Sequence, residues 1–506
     1  MKKSHLNNII IFLIFLIFLV FILSIIGSVF NWEAVYIKTN SLNNVLETST
    51  ISVESLFSRE GMRYIIGNSL SNFITFTPLV LFLFIMIGVG FAEKTGLFSS
   101  LFSVFGKKIN KFFLTFVIVL ISIVSTIISD IAFVFVIPLA AILFLVNKRN
   151  PLVGIIASFV AMASGYGFNL FISQMDYTLF SITESAARTI DSGYSVSIFG
   201  NLIFSIVTTV LLTILITYIT EIFTVRRVNK YKKEDLSEDI IITRKEKRGL
   251  FLSFLAALMF IMFFIYMLIP FGTPLSGLLL DFDQSTVYGR IFSENSFVIQ
   301  GLSFMLFIML IVCGSLYKIG TRESKEKFTT YLYSSLNNIG GVLVLIFLSS
   351  QLIALFRKTN LGVVGTLWIG ELLSKANFSA VPLLIVFFLL VSFINLFQTS
   401  SLLKWVYLAP YIVPTFIKSN LTPEFSQAVF RLADSSSNMM TPFFPFFVVF
   451  LGIMQIYNKG EEDIKIKDIY KALIPYFIGI LLLFILIFIV YYLINIPVGV
   501  GANTII

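Results

Sequence analysis

Charge is scarce in this sequence: of 506 residues, 12% are Asp, Glu, Lys or Arg, about half the share of a soluble globular chain. There is one cysteine, Cys313, inside an apolar run, so no disulfide framework exists. There is one histidine, His5, near the N-terminus, which removes His/Cys zinc sites and serine–histidine chemistry from any apolar interior. No G-x-x-x-x-G-K-[ST] stretch occurs, so ATP is not a direct energy source. These absences count against an intramembrane enzyme. Asp130 with Asp434 is the only obvious acid pair that would revive one, and a channel is the third reading. The formal charge of +9 does not imply nucleic acid, because the basic residues sit in short loops between apolar runs.

What is abundant is apolar: 57% of the residues are hydrophobic. A membrane span needs about 20 apolar residues. Unbroken spans are predicted at Ile9–Ser28, Phe73–Ala92, Ser195–Thr224, Leu250–Ile269, Phe297–Tyr317, Tyr331–Leu355 and Ala472–Ile494. Asn31–Tyr64 reads as a polar loop, and SSLFSVFGKKINKF as an amphipathic interfacial piece. The first span is long for a signal peptide and no small-residue cleavage site follows it.

Two stretches are too long for one span and carry polar tips. Phe113–Val146 is interrupted by Ser125–Asp130, and Val381–Phe416 by Asn395–Ser401. Basic residues flank both ends of the first, so each end prefers the same side, and re-entrant hairpins follow. Two further spans are broken: Pro151–Asp176 at Ser164–Asn169, and Pro423–Tyr457 at RLADSSSNMMTP (Arg431–Pro442). An ionised Asp or Arg at mid-bilayer costs about 2.5–3.5 kcal/mol even on insertion scales. Such breaks are tolerated only against protein or water, and in transporters they hold substrate and coupling ions. A buried polar kink without a ligand is the alternative.

The reading is an all-α polytopic membrane protein of nine transmembrane helices plus two re-entrant helical hairpins in an inverted-topology repeat. The chain forms one transporter unit over 1–506. Residues 113–176 are the first hairpin and broken helix, 381–457 the second, and the remaining spans a scaffold. An offset of 272 carries Pro138 onto Pro410, Pro151 onto Pro423 and Ser129 onto Ser401. With the N-terminus cytoplasmic and the C-terminus external, 25 Lys and Arg fall inside, 9 outside, and 2, Lys404 and Arg431, in the membrane.

Asp434 supplies charge for a hard cation, and Asn395, Asn438, Ser436 and freed carbonyls supply neutral oxygens. Arg431, three residues before Asp434, is an alternative partner for it. Hydroxyls and half-helix N-termini in STIISD, SGYGFN (with Asn169), Ser400–Ser401 and Ser436–Ser437 suit an anionic substrate. Trp405 either stacks on an aromatic ring or packs against protein or lipid. Lys404 snorkels or pairs with an acid. Asp130 is a secondary candidate, and Asp176 is a site residue or a helix-end charge.

GVGFAEKTGLF (Gly88–Phe98), NLFQTSSLLKWVYLAPYIVP (Asn395–Pro414) and RLADSSSNMMTPFFP (Arg431–Pro445) resemble the aminobenzoyl-glutamate transporter (AbgT) family. That resemblance implies an elevator-type secondary active transporter in a bacterial inner membrane, dimeric, with nine spans per protomer. It implies p-aminobenzoyl-glutamate, related folate catabolites or sulfonamide-like aromatics as substrate, with a sodium or proton gradient as drive and no other cofactor. Carried onto this chain, it implies an ion site at Asn395, Asp434 and Asn438, with sodium slightly favoured. It also implies functional roles for Trp405, Pro423, Arg431 and Asp176. Leu402, where the family often has a small polar residue, and Gln398–Thr399 at the tip depart from its pattern.

Overall fold

A computed structural model describes residues 7–39, 46–106, 110–228, 242–321, 327–337, 339–376, 378–458 and 464–506. His5, Lys107, Lys108 and residues 229–241 of the charged loop lie outside them. Among the described residues, eight helices are long and apolar enough to cross a membrane. Seven overlap the seven unbroken spans; the eighth is Lys111–Ile128, the first arm of the first hairpin with its short 3-10 extension.

The outer helices turn apolar side chains outward, as a lipid solvent requires. Arg244–Leu268 buries only Gly249, Ser253, Ala256 and Met267, while Phe251, Phe254, Met262 and Ile265 are exposed. Its buried stripe is small, which lets it approach Val298–Thr321 backbone to backbone. A Cβ on Gly320 would lie 2.5 Å from the Gly249 Cα, so this crossing admits no side chain at either glycine. Cys313 belongs to the same contact: the Ser253 hydroxyl donates to its carbonyl at 2.7 Å.

Several local expectations change. Asn31–Tyr64 is not a loop: Glu33–Thr39 and Leu46–Ser52 form an antiparallel hairpin, and a helix runs from Arg59 to Ile74, its first turn capped by Ser58 accepting from the Gly61 N–H at 3.0 Å. That helix is half polar, so an apolar-run search passes over it. Leu361–Lys375 is a helix too short for a span, packed against Ser401–Lys418 and anchored by the Trp368 indole donating to the Glu33 carbonyl at 2.9 Å. The expected span at Ser195 begins as helix at Leu202, and that at Tyr331 divides into Phe328–Ser334 and Gly340–Lys358. The first broken helix does not end at Asp176: its second half runs Gln174–Ala187.

The inner elements follow one order twice. Lys111–Ser125 and Ile131–Val146 are the arms of the first hairpin, followed by Pro151–Ser164, a break, and Gln174–Ala187. Ala380–Ile394 and Ser401–Lys418 are the second pair, followed by Pro423–Ser436, a break, and Phe447–Tyr457. The offset of 272 carries Pro151–Ser164 onto Pro423–Ser436. The hairpin arms hold 15 to 18 residues. At about 1.5 Å per residue, all four arms fall short of a bilayer core of about 30 Å. Every residue of Pro151–Ser164 and of Pro423–Ser436 is buried. These two half-helices are the centre of the molecule, and the scaffold helices keep their polar content away from lipid.

Candidate functional site

The two broken helices meet at their breaks. Pro151 and Pro423 each open a half-helix, where a missing N–H costs nothing. Both half-helices end in polar sequence that competes for backbone hydrogen bonds. The Gly167 N–H donates to the Ser435 hydroxyl at 3.0 Å, and the Asn438 amide donates to the Ala163 carbonyl at 3.2 Å. A Cβ on Gly167 would sit 2.5 Å from that hydroxyl and 3.0 Å from the Arg431 carbonyl, so the crossing depends on glycine there. The first break is also tied to its hairpin tip: the Asn169 amide donates to the Val124 carbonyl at 3.0 Å and to the Thr126 hydroxyl at 3.2 Å.

Beside this crossing the second hairpin tip meets Asp434. Asn395 stands at the end of Ala380–Ile394, and its Nδ2 donates to the Asp434 carbonyl at 2.6 Å, to Asn438 Oδ1 at 2.9 Å and to the Ser437 hydroxyl at 3.0 Å. The Ser437 hydroxyl donates onward to the Ser392 carbonyl at 2.8 Å, and Ser436 bonds Ser392. Ser401 and Lys404 lie one turn apart on the returning arm and therefore face the same way. Ser401 donates to one oxygen of the Asp434 carboxylate, and the Lys404 ammonium pairs with the other. The ammonium also donates to Asn395 Oδ1. Lys404 is 0% exposed and Asp434 2%. Asn395, Asp434 and Asn438 thus form one network, and the cation on two of its oxygens is the side chain of Lys404. In this arrangement the three residues do not present a free oxygen cage for sodium.

Arg431 does not pair with Asp434. It forms an ion pair with Asp176, across 255 residues of sequence, and its guanidinium lies 5.5 Å from the Phe168 ring. Asp176 is held in turn by the Ser173 N–H at 2.8 Å and the Ser173 hydroxyl at 2.6 Å, a capping box that starts Gln174–Ala187. The Trp405 indole is 0% exposed, donates to Thr183 at 2.9 Å and lies 4.5 Å from the Phe430 ring. Pro423 sits at the far end of its half-helix, where the preceding Thr422 hydroxyl donates to the Asn503 carbonyl at 2.6 Å.

A cavity of about 240 Å³ opens between the two hairpin tips. Asp130, Ser400 and Ser401 line it; Gln398, Thr399 and Leu402, the departures from the family pattern, line it too. Trp405, Ser436, Ser437, Arg431, Pro423, Asn169 and Asp176 do not. Tyr166 donates to Asp130 at 3.1 Å, and Ser400 begins the returning arm by accepting from the Leu403 N–H at 3.4 Å. The walls the sequence reading missed are aromatic, chiefly Phe356, Phe397, Phe443, Phe444 and Phe446, with Arg357 as the one basic lining residue. The FFPFF run around Pro445 was a visible signal, since four phenylalanines follow a polar break directly. Arg357 had no such signal: it terminates a scaffold helix, Gly340–Lys358, remote in sequence from either tip.

Comparison with known proteins gives one family. The model of the AbgT putative transporter family matches residues 4–506. The p-aminobenzoyl-glutamate transport protein of Escherichia coli (strain K12) is 28% identical over 463 residues, covering 91% of this chain and 89% of that protein. Among solved structures, the Alcanivorax borkumensis YdaH transporter is 28% identical with a TM-score of 0.49, covering 97% of this chain and 100% of that one. Neisseria gonorrhoeae MtrF, described with a class of antimetabolite efflux pumps, is 26% identical with a TM-score of 0.49, covering 97% of each chain.

Proposed function

The chain belongs to the AbgT putative transporter family, and from that premise we propose that it is a secondary active transporter of p-aminobenzoyl-glutamate or closely related anionic aromatics, such as other folate catabolites or sulfonamides. Transport draws on a sodium or proton gradient. The two hairpin units carry the substrate together, elevator-fashion, against the scaffold of a homodimer. The observation that carries this reading is Ser401, which lines the cavity and donates to Asp434. One residue therefore borders the space for a substrate and also bonds the acid that answers to a cation. A change at either side is felt at the other, which is what coupling needs. Trp405, Arg431 and Pro423 act from behind the cavity by fixing the broken helices.

The cavity chemistry supports the substrate class. Phenylalanine faces suit one aromatic ring. The N-terminus of Ser401–Lys418 and the Arg357 guanidinium suit carboxylates, and Asp130 accepts from an arylamine. Flux of radiolabelled p-aminobenzoyl-glutamate in proteoliposomes, with sodium or proton gradients imposed separately, tests the function. Flux that saturates but ignores both gradients would refute it.

Arg357→Ala is expected to raise the KM for p-aminobenzoyl-glutamate by about tenfold or more, since a charge-assisted hydrogen bond contributes about 1.5–3 kcal/mol. Arg357→Lys should recover part of the loss, and transport of an aromatic lacking the glutamate carboxylates should change little. The charge bias places the N-terminus in the cytoplasm and the C-terminus outside. A cysteine introduced at the exposed Asn503 is expected to react with an impermeant maleimide added to intact cells; labelling only after permeabilisation would reverse the topology.

A further inference from the structure

We infer that Lys404 is a tethered cation that holds the coupling-cation position, so that a free cation reaches Asp434 only by displacing the ammonium. The inference rests on the reading of Asp434 as the coupling acid. Three observations carry it. First, the ammonium lies on Asp434 and on Asn395 Oδ1, the two oxygens best suited to an alkali cation. Second, Lys404 is fully buried, so its long side chain does not reach water from this position. Third, the other polar atoms around it are already engaged: Ser401 takes the second carboxylate oxygen, and Asn395 Nδ2 fills Asn438 Oδ1 and the Asp434 carbonyl. Each of these acceptors already receives a hydrogen bond, and the carboxylate is the one full negative charge among them.

The physical logic is competition for one negative charge. A buried carboxylate needs a cation or a dense set of donors. With Lys404 in place, the hairpin tip and the broken helix are held together without an ion. A free cation arriving at Asp434 releases Lys404 and with it the returning arm, which begins at Ser401 on the cavity wall. Occupancy by the ammonium or by an ion therefore distinguishes two arrangements of the same tip, and Lys404 sets the threshold concentration at which the ion wins.

Removing the tethered charge should leave a seat that sodium fills. Full-length protein with Lys404→Met, purified in sodium and then exchanged, is expected to melt about 2 °C or more higher in about 100 mM sodium chloride than in the same concentration of choline chloride. Wild type and Lys404→Arg should show no sodium-specific shift, and Lys404→Met/Asp434→Asn should lose it. Radioactive sodium binding should show an affinity at least about tenfold tighter for Lys404→Met than for wild type, a difference of about 1.4 kcal/mol. Lys404→Gln, which keeps a donor to Asp434, serves if Lys404→Met folds poorly. Equal sodium response in wild type and in the Met or Gln variants overturns the inference. So does failure of both variants to fold even in sodium, because the ion is then no substitute for the ammonium. These readouts need no transport. Gradient-driven flux without a sodium response in Lys404→Met refutes this inference alone, whereas a sodium response without gradient-driven flux refutes the functional reading instead.

Discussion

Asp434→Asn is expected to reduce gradient-driven accumulation of substrate to background in proteoliposomes and to destabilise the protein as well. The carboxylate is the only acid on the Lys404 ammonium among the described residues, and both groups are buried. Removing one partner of a buried pair leaves the other uncompensated, at a cost of about 3–5 kcal/mol. A loss of flux in the single variant therefore mixes folding with coupling. Lys404→Met/Asp434→Asn separates them: with both charges gone, thermal stability should return most of the way, while accumulation should stay at background. Thermal unfolding in mild detergent and gradient-driven uptake are the paired measurements. Wild-type accumulation in the double variant would remove Asp434 from the coupling step and leave it a structural counter-ion.

The location of this site was legible in the sequence, and its wiring was not. Polar residues in the middle of long apolar runs have no other stable home than a protein interior or a water-lined break. That argument alone located Ser164–Asn169, Arg431–Pro442 and both tips. The offset of 272 carries Pro151 onto Pro423, and each of these prolines opens a half-helix of 14 residues. Pairing is a different matter. Spacing allows Arg431 to reach Asp434 on one helix face, and equally allows Lys404 to find any acid nearby. Which base meets which acid depends on how the two broken helices cross, a relation between residues about 270 positions apart that no local pattern records. The helices at Arg59–Ile74 and Leu361–Lys375 escaped for a simpler reason: neither is apolar or long enough to register as a span, and both are stabilised by tertiary contacts. Of the aromatic cavity wall, the FFPFF run around Pro445 stood out in the sequence, whereas Phe356 and Phe397 are single phenylalanines in a chain where that residue is common.

Arg431 and Asp176 give the second large effect, and here the double variant distinguishes two roles. The pair bolts Gln174–Ala187, in the first unit, to Pro423–Ser436, in the second. Arg431 is 2% exposed and Asp176 7%, and the Arg431 Nε has no hydrogen-bond partner among the described residues. Arg431→Met alone strands a buried carboxylate, and Asp176→Leu alone strands a buried guanidinium; each should cost about 3–5 kcal/mol of stability. The two changes together should cost far less, because a buried ion pair is often replaced by apolar side chains at little net loss. A double-mutant cycle on thermal or denaturant stability measures the coupling directly, and costs that simply add would mean the two residues do not act as a pair. Transport by the double variant then reports on mechanism. If the pair serves only to clamp the two units, flux should return with stability. If Arg431 also binds substrate when the units move, the double variant should be stable and inactive. The burial of Arg431 against Phe168, outside the set of residues that line the cavity, favours recovery of flux.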